Sequence, residues 1–152
     1  MLLLIEAILS HQQFHALNLL SPCVFYCGTC RHYLARAKRL LKEKNLKHGC
    51  LGCRIQDKNC AGIKRDCALI RKKQITYCFE CEDFPCANLV KLNQRHVRDD
   101  KVSPIENLQR MKEIGVEQWL REQEDAWRCP NCGGILCLID DRECYDCGYK
   151  VD

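Results

Sequence analysis

"CPNCGGILCLIDDRECYDCGYK", Cys129 to Lys150, packs five cysteines into 22 residues near the end of the sequence. It contains two Cys-x2-Cys pairs, Cys129/Cys132 and Cys144/Cys147, each followed by a glycine, Gly133 and Gly148. A two-residue spacer turns both thiolates of such a knuckle toward one ion, and the N–H groups of the turn reach the sulfurs. The glycine permits the backbone conformation that the knuckle needs. The residues between the pairs suffice for a short β-hairpin, so the two knuckles predict a tetrahedral four-cysteine site, a zinc ribbon. A site of four thiolates leaves no position for water or substrate and is structural. Rubredoxin-type iron uses the same arrangement, so the spacing alone allows iron as well as zinc. Cys137, in the apolar run "ILCLI", reads as a small hydrophobe and not as a ligand.

Outward from the ribbon, cysteine remains the organising residue. Fifteen of the 152 residues are cysteine, so crosslinks or metal must supplement the core. Ten fall between Cys23 and Cys86 and five between Cys129 and Cys147, with none in the interval. An odd number, without a secretory signal, argues for reduced thiols holding metal in the cytoplasm and against a disulfide scaffold. The first 20 residues, "MLLLIEAILSHQQFHALNLL", have no basic start, and Glu6 interrupts their apolar run. They read as an amphipathic extension, too broken for a membrane span of about 20 mostly apolar residues.

The predicted organisation is therefore small, metal-stabilised α+β: an extension over 1–20, a cysteine-rich module over 21–98, a helical connector over 99–127, and the ribbon over 128–152. In the module, Tyr33, Leu34, Ala37, Leu40 and Leu41 recur at helical spacing, predicting a helix that runs from Arg31 to a stop at Gly49. Shorter helices are expected over 67–73 and 87–95. In the connector, Ser103, Pro104 and Glu106 form the signature of a helix start, and Ile105, Leu108, Met111 and Ile114 continue it. Gly115 is expected to break that helix, and a second segment resumes with Val116, Trp119 and Leu120. The connector reads as a docking spacer, and Trp127 is expected to pack on the ribbon.

The module opens with "SPCVFYCGTC", in which Cys23, Cys27 and Cys30 follow the C-x3-C-x2-C spacing of radical-SAM iron–sulfur loops. That chemistry needs a large barrel of parallel strands, and this chain has neither the length nor the βα repeats for one. The remaining signatures are "CLGCRIQDKNC", "DCALI" and "CFECEDFPC". Together they resemble an uncharacterised cysteine-rich domain family of bacteria and archaea whose members read approximately CGLYCGxC, then GCR, then CxxCxxFPC. The matching positions are Cys23, Cys27, Gly28, Cys30, Gly52, Cys53, Arg54, Cys60, Cys67, Ala68, Cys78, Glu80, Cys81, Phe84, Pro85 and Cys86; Val24 departs, where many members have glycine. The resemblance covers about residues 21–95 and extends to a longer form with connector and ribbon. It implies a small metal-binding domain, with zinc as the metal, and no established reaction.

Ten thiols, Cys23, Cys27, Cys30, Cys50, Cys53, Cys60, Cys67, Cys78, Cys81 and Cys86, can fill two four-cysteine sites with two left over. One grouping joins Cys23, Cys27 and Cys30 to a later cysteine, and Cys50 and Cys53 to Cys78 and Cys81. His32 and His48 read as solvated residues of the basic helix. Zinc is expected in both halves, with an iron–sulfur cluster as the alternative in the module, serving electron transfer or an accessory role in a redox complex.

Charge divides along the same boundary. Residues 21–98 carry 17 Lys and Arg against 6 Asp and Glu, a formal +11, and residues 99–152 carry 7 against 13, a formal −6. Opposite signs predict two modules that attract one another. The basic face, with Arg36, Arg39, Lys42, Lys44 and Lys47, also raises nucleic-acid binding as an alternative function, although no aromatic platform is interleaved with it. No GxxxxGK[ST], HExxH, GxSxG or GxGxxG signature is present. The sequence thus predicts a non-enzymatic zinc-binding module for assembly with a protein partner.

Overall fold

The structure, a computed structural model, describes residues 15–56 and 62–152, so most of the extension and Cys60 lie outside the described residues. The elements are α1 (Arg31–Ala37), α2 (Cys53–Gln56), α3 (Ile63–Asp66), α4 (Ala68–Arg71), α5 (Ala87–Asp99), α6 (Pro104–Ile114) and α7 (Val116–Gln123), then strands β1 (Leu136–Cys137) and β2 (Glu143–Cys144). Single 3-10 turns stand at Cys27–Thr29 and Cys78–Glu80. The chain is helix-rich, with one antiparallel hairpin near its C-terminus.

One apolar core joins the cysteine-rich module to the connector. Leu20, Val24, Phe25, Ile63, Ile70, Tyr77, Leu89 and Leu92 from the module pack with Leu108, Met111, Trp119, Leu120 and Trp127. The connector is therefore no spacer; its apolar stripe closes the core that the short module helices cannot close alone. Leu19 and Leu20 are buried too, and Cys27 donates its N–H to the Leu19 carbonyl at 2.7 Å, so the module starts before Ser21. Trp127 corrects a second expectation. It stacks on Tyr26, with ring centroids 3.9 Å apart and planes 4° from parallel, and meets Trp119 edge-on at 5.8 Å. Its indole thus belongs to the module core, and the chain enters the ribbon from there.

The connector's helix signals act as the sequence predicts. Ser103 Oγ accepts the Glu106 N–H at 3.2 Å, and Asn93 Oδ1 on α5 accepts from Ser103 Oγ and from Ile105 N–H, both at 3.0 Å. Gly115, at φ +85 and ψ 153, ends α6 and starts α7. By contrast, the helix expected to run to Gly49 ends at Ala37. Arg39 adopts φ +60, and Leu40 N–H reaches back to the Ala35 carbonyl at 2.7 Å, a Schellman closure. A second closure follows at Asn45, φ +53, with Leu46 N–H on the Leu41 carbonyl at 2.8 Å. These turns fold the basic segment back, bringing Gly49 against the aliphatic stem of Arg36.

That fold-back meets the ribbon, and the opposite charges join. Lys38 pairs with Asp146, Lys44 with Glu143, and Arg31 Nε with Asp141 at 3.5 Å. Lys44 Nζ also lies 4.1 Å from the centre of the Tyr145 ring. Backbone contacts reinforce this docking: Leu138 and Ile139 both donate to the Thr29 carbonyl, at 2.9 and 3.2 Å. Asp140 N–H donates to Asp100 Oδ1 at 3.0 Å, and Arg142 to the Asp100 carbonyl at 2.6 Å. Among the described residues, no helix is long and apolar enough to cross a membrane.

Candidate metal centres

The ribbon is built from two matching knuckles. Gly133 N–H closes on the Cys129 carbonyl at 2.8 Å, and Gly148 N–H on the Cys144 carbonyl at 2.9 Å. Both glycines take left-handed φ, +75 and +77, a conformation that disfavours any side chain. β1 and β2 pair Leu136 with Cys144 and Cys137 with Glu143, which sets the knuckles face to face. Cys129 Sγ then lies 3.7 Å from Cys147 Sγ, and Cys132 Sγ lies 3.5 Å from Cys144 Sγ. The edge of a tetrahedron with zinc–sulfur bonds of ~2.3 Å is about 3.8 Å, so the donor set fits a single ion. All four sulfurs lie within 4.8 Å of one another, and no other group among the described residues does.

Electrostatics in the quartet favour at least one thiolate. The Asn131 side chain and the Tyr149 N–H hold Cys147 well below an ordinary thiol, at about 6. At Cys132 the Gly134 N–H pulls downward, but the bonds to Cys144 and the other thiols outweigh it and push the group up to about 12. Four sulfurs crowded without a cation must share protons, and a divalent ion would displace them. Cys137 stands apart from the quartet, fully buried, with its thiol on the Ile139 carbonyl at 3.3 Å and its pKa raised by burial.

The described cysteines of the module separate into two groups, and the separation differs from the grouping expected from sequence. Cys27, Cys30, Cys50 and Cys53 line one cavity of about 530 Å³, bordered also by His96, Asp100 and the ribbon residues Ile139 and Asp140. There Cys27 Sγ approaches Cys53 Sγ to 3.4 Å. Cys67, Cys78, Cys81 and Cys86 line a second cavity of about 230 Å³. Burial raises the pKa of Cys78, helped by the neighbouring thiols Cys23, Cys67, Cys86 and Cys81. Cys23 is fully buried, its pKa raised by that burial, with Ser21 Oγ 3.2 Å away. Cys23 thus neighbours the Cys78 group, and Cys53 stands with Cys27, apart from Cys78 and Cys81.

Other matched positions have structural work. Arg54 holds three segments together: its guanidinium bonds to the Leu20 carbonyl, reaches the Thr76 carbonyl at 3.1 Å, and stacks 4.9 Å over the Tyr77 ring. Glu80 caps the turn at Cys78 by accepting the Tyr77 N–H at 2.9 Å. His32 Nδ1 lies 3.3 Å from the His48 carbonyl oxygen, an exposed pair. Of the basic stripe, Lys44 is engaged by the ribbon, whereas Arg36, Arg39, Lys42 and Lys47 are exposed. The acidic partners Asp141, Glu143 and Asp146 were hidden in sequence because nothing there tells which cations they meet.

Neither a curated protein nor a solved structure matches the chain. A family model described as "Protein of unknown function (DUF3795)" matches residues 19–91, which run from the buried Leu19 into α5 and contain all ten cysteines of the module. Residues 19–91 of this chain are accordingly similar to the DUF3795 family, whose function is unknown.

Proposed function

We propose that the protein is a non-enzymatic zinc-binding protein of a reducing, cytoplasmic compartment, in which metal shapes a binding or assembly module for a protein partner. The observation that carries this reading is the ribbon quartet, whose sulfurs lie at the spacing of one tetrahedral ion. Four thiolates saturate zinc, so the ion would serve folding and not Lewis-acid chemistry. The apolar cluster of the ribbon supports this, since it consists only of Cys129, Leu136 and Cys144 with Leu138 and Val151 against it. A unit with so small a core needs a metal to fold.

The basic residues Arg36, Arg39, Lys42 and Lys47 are the remaining surface for a nucleic-acid partner, because Lys38 and Lys44 are spent on the ribbon. Electrophoretic titration with duplex and single-stranded nucleic acid at low salt tests this second reading; absence of binding there removes it. Elemental analysis of protein purified without oxygen tests the first. Zinc without iron is the expected result, and iron with acid-labile sulfide would replace the zinc reading by an iron–sulfur one.

A further inference from the structure

Cys27 and Cys30, and Cys50 and Cys53, are two more Cys-x2-Cys pairs, and the fold brings them to one cavity with Cys27 and Cys53 in contact. The sequence conceals this because Cys23 sits just ahead of the first pair and invites a three-cysteine reading. In the structure Cys23 neighbours Cys78 instead. The amide–sulfur pattern of the ribbon recurs at Cys30, and a similar bond reaches Cys50, the first cysteine of its pair. In the ribbon, the N–H two residues on reaches the sulfur at Cys132 (from Gly134) and at Cys147 (from Tyr149). In the module, Gly52 N–H reaches Cys50 Sγ at 3.3 Å, and His32 N–H, with Tyr33 N–H, reaches Cys30. Cys53 N–H adds a bond to Cys27 Sγ at 3.4 Å. Amides aimed at sulfur favour thiolate over thiol, and at Cys30 they offset part of the burial that pushes this thiol up to about 11.

The backbone holds the two knuckles in place. Cys30 N–H closes on the Cys27 carbonyl at 3.0 Å, and Cys50 N–H bonds to the His32 carbonyl at 3.1 Å, tying one knuckle to the other. Gly52 adopts φ +109, and a β-carbon there would come within 2.9 Å of the Leu19 side chain, so the second knuckle is built around glycine. The ribbon tip walls the cavity from the other side, through Ile139 and Asp140, and its two amides grip Thr29 inside the first knuckle.

From this geometry we infer that Cys27, Cys30, Cys50 and Cys53 form a second mononuclear centre for a soft divalent cation, separate from the thiols around Cys78 and capped by the ribbon. The inference rests on the zinc reading above and assigns it a second site. A single ion, not a four-iron cluster, suits the pair Cys27–Cys53, whose 3.4 Å separation resembles the ribbon's 3.5 and 3.7 Å. A four-iron cluster would hold its ligands farther apart, because each thiolate then binds a different iron. Beyond the Cys27–Cys53 contact, no three of these four sulfurs lie within 4.8 Å of one another as the ribbon's do, so the set would draw inward on binding.

The test is a proton–cadmium correlation on the full chain loaded with ¹¹³Cd²⁺. The expected spectrum has one cadmium resonance coupled to the β-protons of Cys27, Cys30, Cys50 and Cys53, and another coupled to the ribbon quartet. Cys53→Ser should remove or shift the first and leave the second in place, with cadmium content falling by about one ion per chain. Coupling of Cys27 and Cys53 to different ions, or of Cys27 to an ion shared with Cys78, would overturn the inference in the unmutated protein. So would a spectrum in which the ribbon resonance appears and the other does not. If the Cys27 resonance appears and the ribbon's is missing, the ribbon assignment fails and this one stands.

Discussion

The two halves of the molecule hold their thiols by different means. In the ribbon, the apolar contribution is small and the four thiols come from one hairpin, so on the proposed reading a metal would supply the order. In the cysteine-rich half, the thiols ride on a core that the connector completes, where Trp127 meets Trp119 edge-on and stacks on the partly buried Tyr26. A metal site with no core beneath it should be all-or-none, whereas one laid on a core should leave compact structure behind when the metal goes.

Chelation should show the largest effect. Structural zinc in small domains contributes roughly 10–16 kcal/mol of apparent binding free energy, which on the proposed reading would be folding energy for the ribbon. Stripping zinc with a strong chelator should therefore erase the dispersed amide signals of residues 128–152, followed by heteronuclear NMR. The Trp119 and Trp127 fluorescence should stay closer to native than the ribbon's signals. Simultaneous loss of both would merge the two halves into one metal-dependent unit and break the comparison.

Trp127→Ala attacks the other half. Removing a core indole of this kind typically costs about 3–5 kcal/mol. Denaturant unfolding should show that loss, while zinc binding at the ribbon persists in protein that remains folded at low denaturant. A variant with unchanged stability but weakened ribbon zinc would place Trp127 with the ribbon after all.

Acidification should act first through the ligands. Zinc needs deprotonated thiols, so its affinity must fall as pH falls. Cys147, whose folded pKa is depressed to about 6 by Asn131 and the Tyr149 N–H, acts in the same direction. Its stabilising contribution is fully present above the ordinary thiol pKa and is lost as pH falls through about 6. Asn131→Ala should raise the pH at which the ribbon releases zinc, followed with a zinc-responsive dye. An unchanged release curve would mean that Asn131 does not tune the site.

The smallest effect belongs to the docking charges. Exposed ion pairs contribute about 0.2–1 kcal/mol each. Lys38→Glu and Lys44→Glu should lower the thermal midpoint modestly at low ionic strength, and the difference should shrink in high salt. A loss that ignores salt would point to packing, such as Lys44 against Tyr145, in place of charge.

Legibility from sequence followed locality. The ribbon ligands are readable because each knuckle is complete within four residues, and the start of α6 and the break at Gly115 are readable because capping is local too. Trp127 was misplaced because its neighbours in sequence are ribbon residues, while its partner Tyr26 lies far off along the chain. The early end of α1 left no signal: Arg39 takes a left-handed conformation that its side chain does not advertise, and apolar spacing continues through Leu40 and Leu41. The pairing of Cys27 with Cys53 was equally hidden, since spacing identifies knuckles but not which knuckles face each other.

The central claim is that metal in this protein is zinc held at single-ion sites by cysteine quartets. Metal content measured by elemental analysis, with an absorption spectrum, on protein purified without oxygen tests it most directly. The account predicts a colourless protein with about one zinc per four-cysteine centre. A brown protein carrying iron and acid-labile sulfide, or one that stays folded with no metal at all, would contradict it.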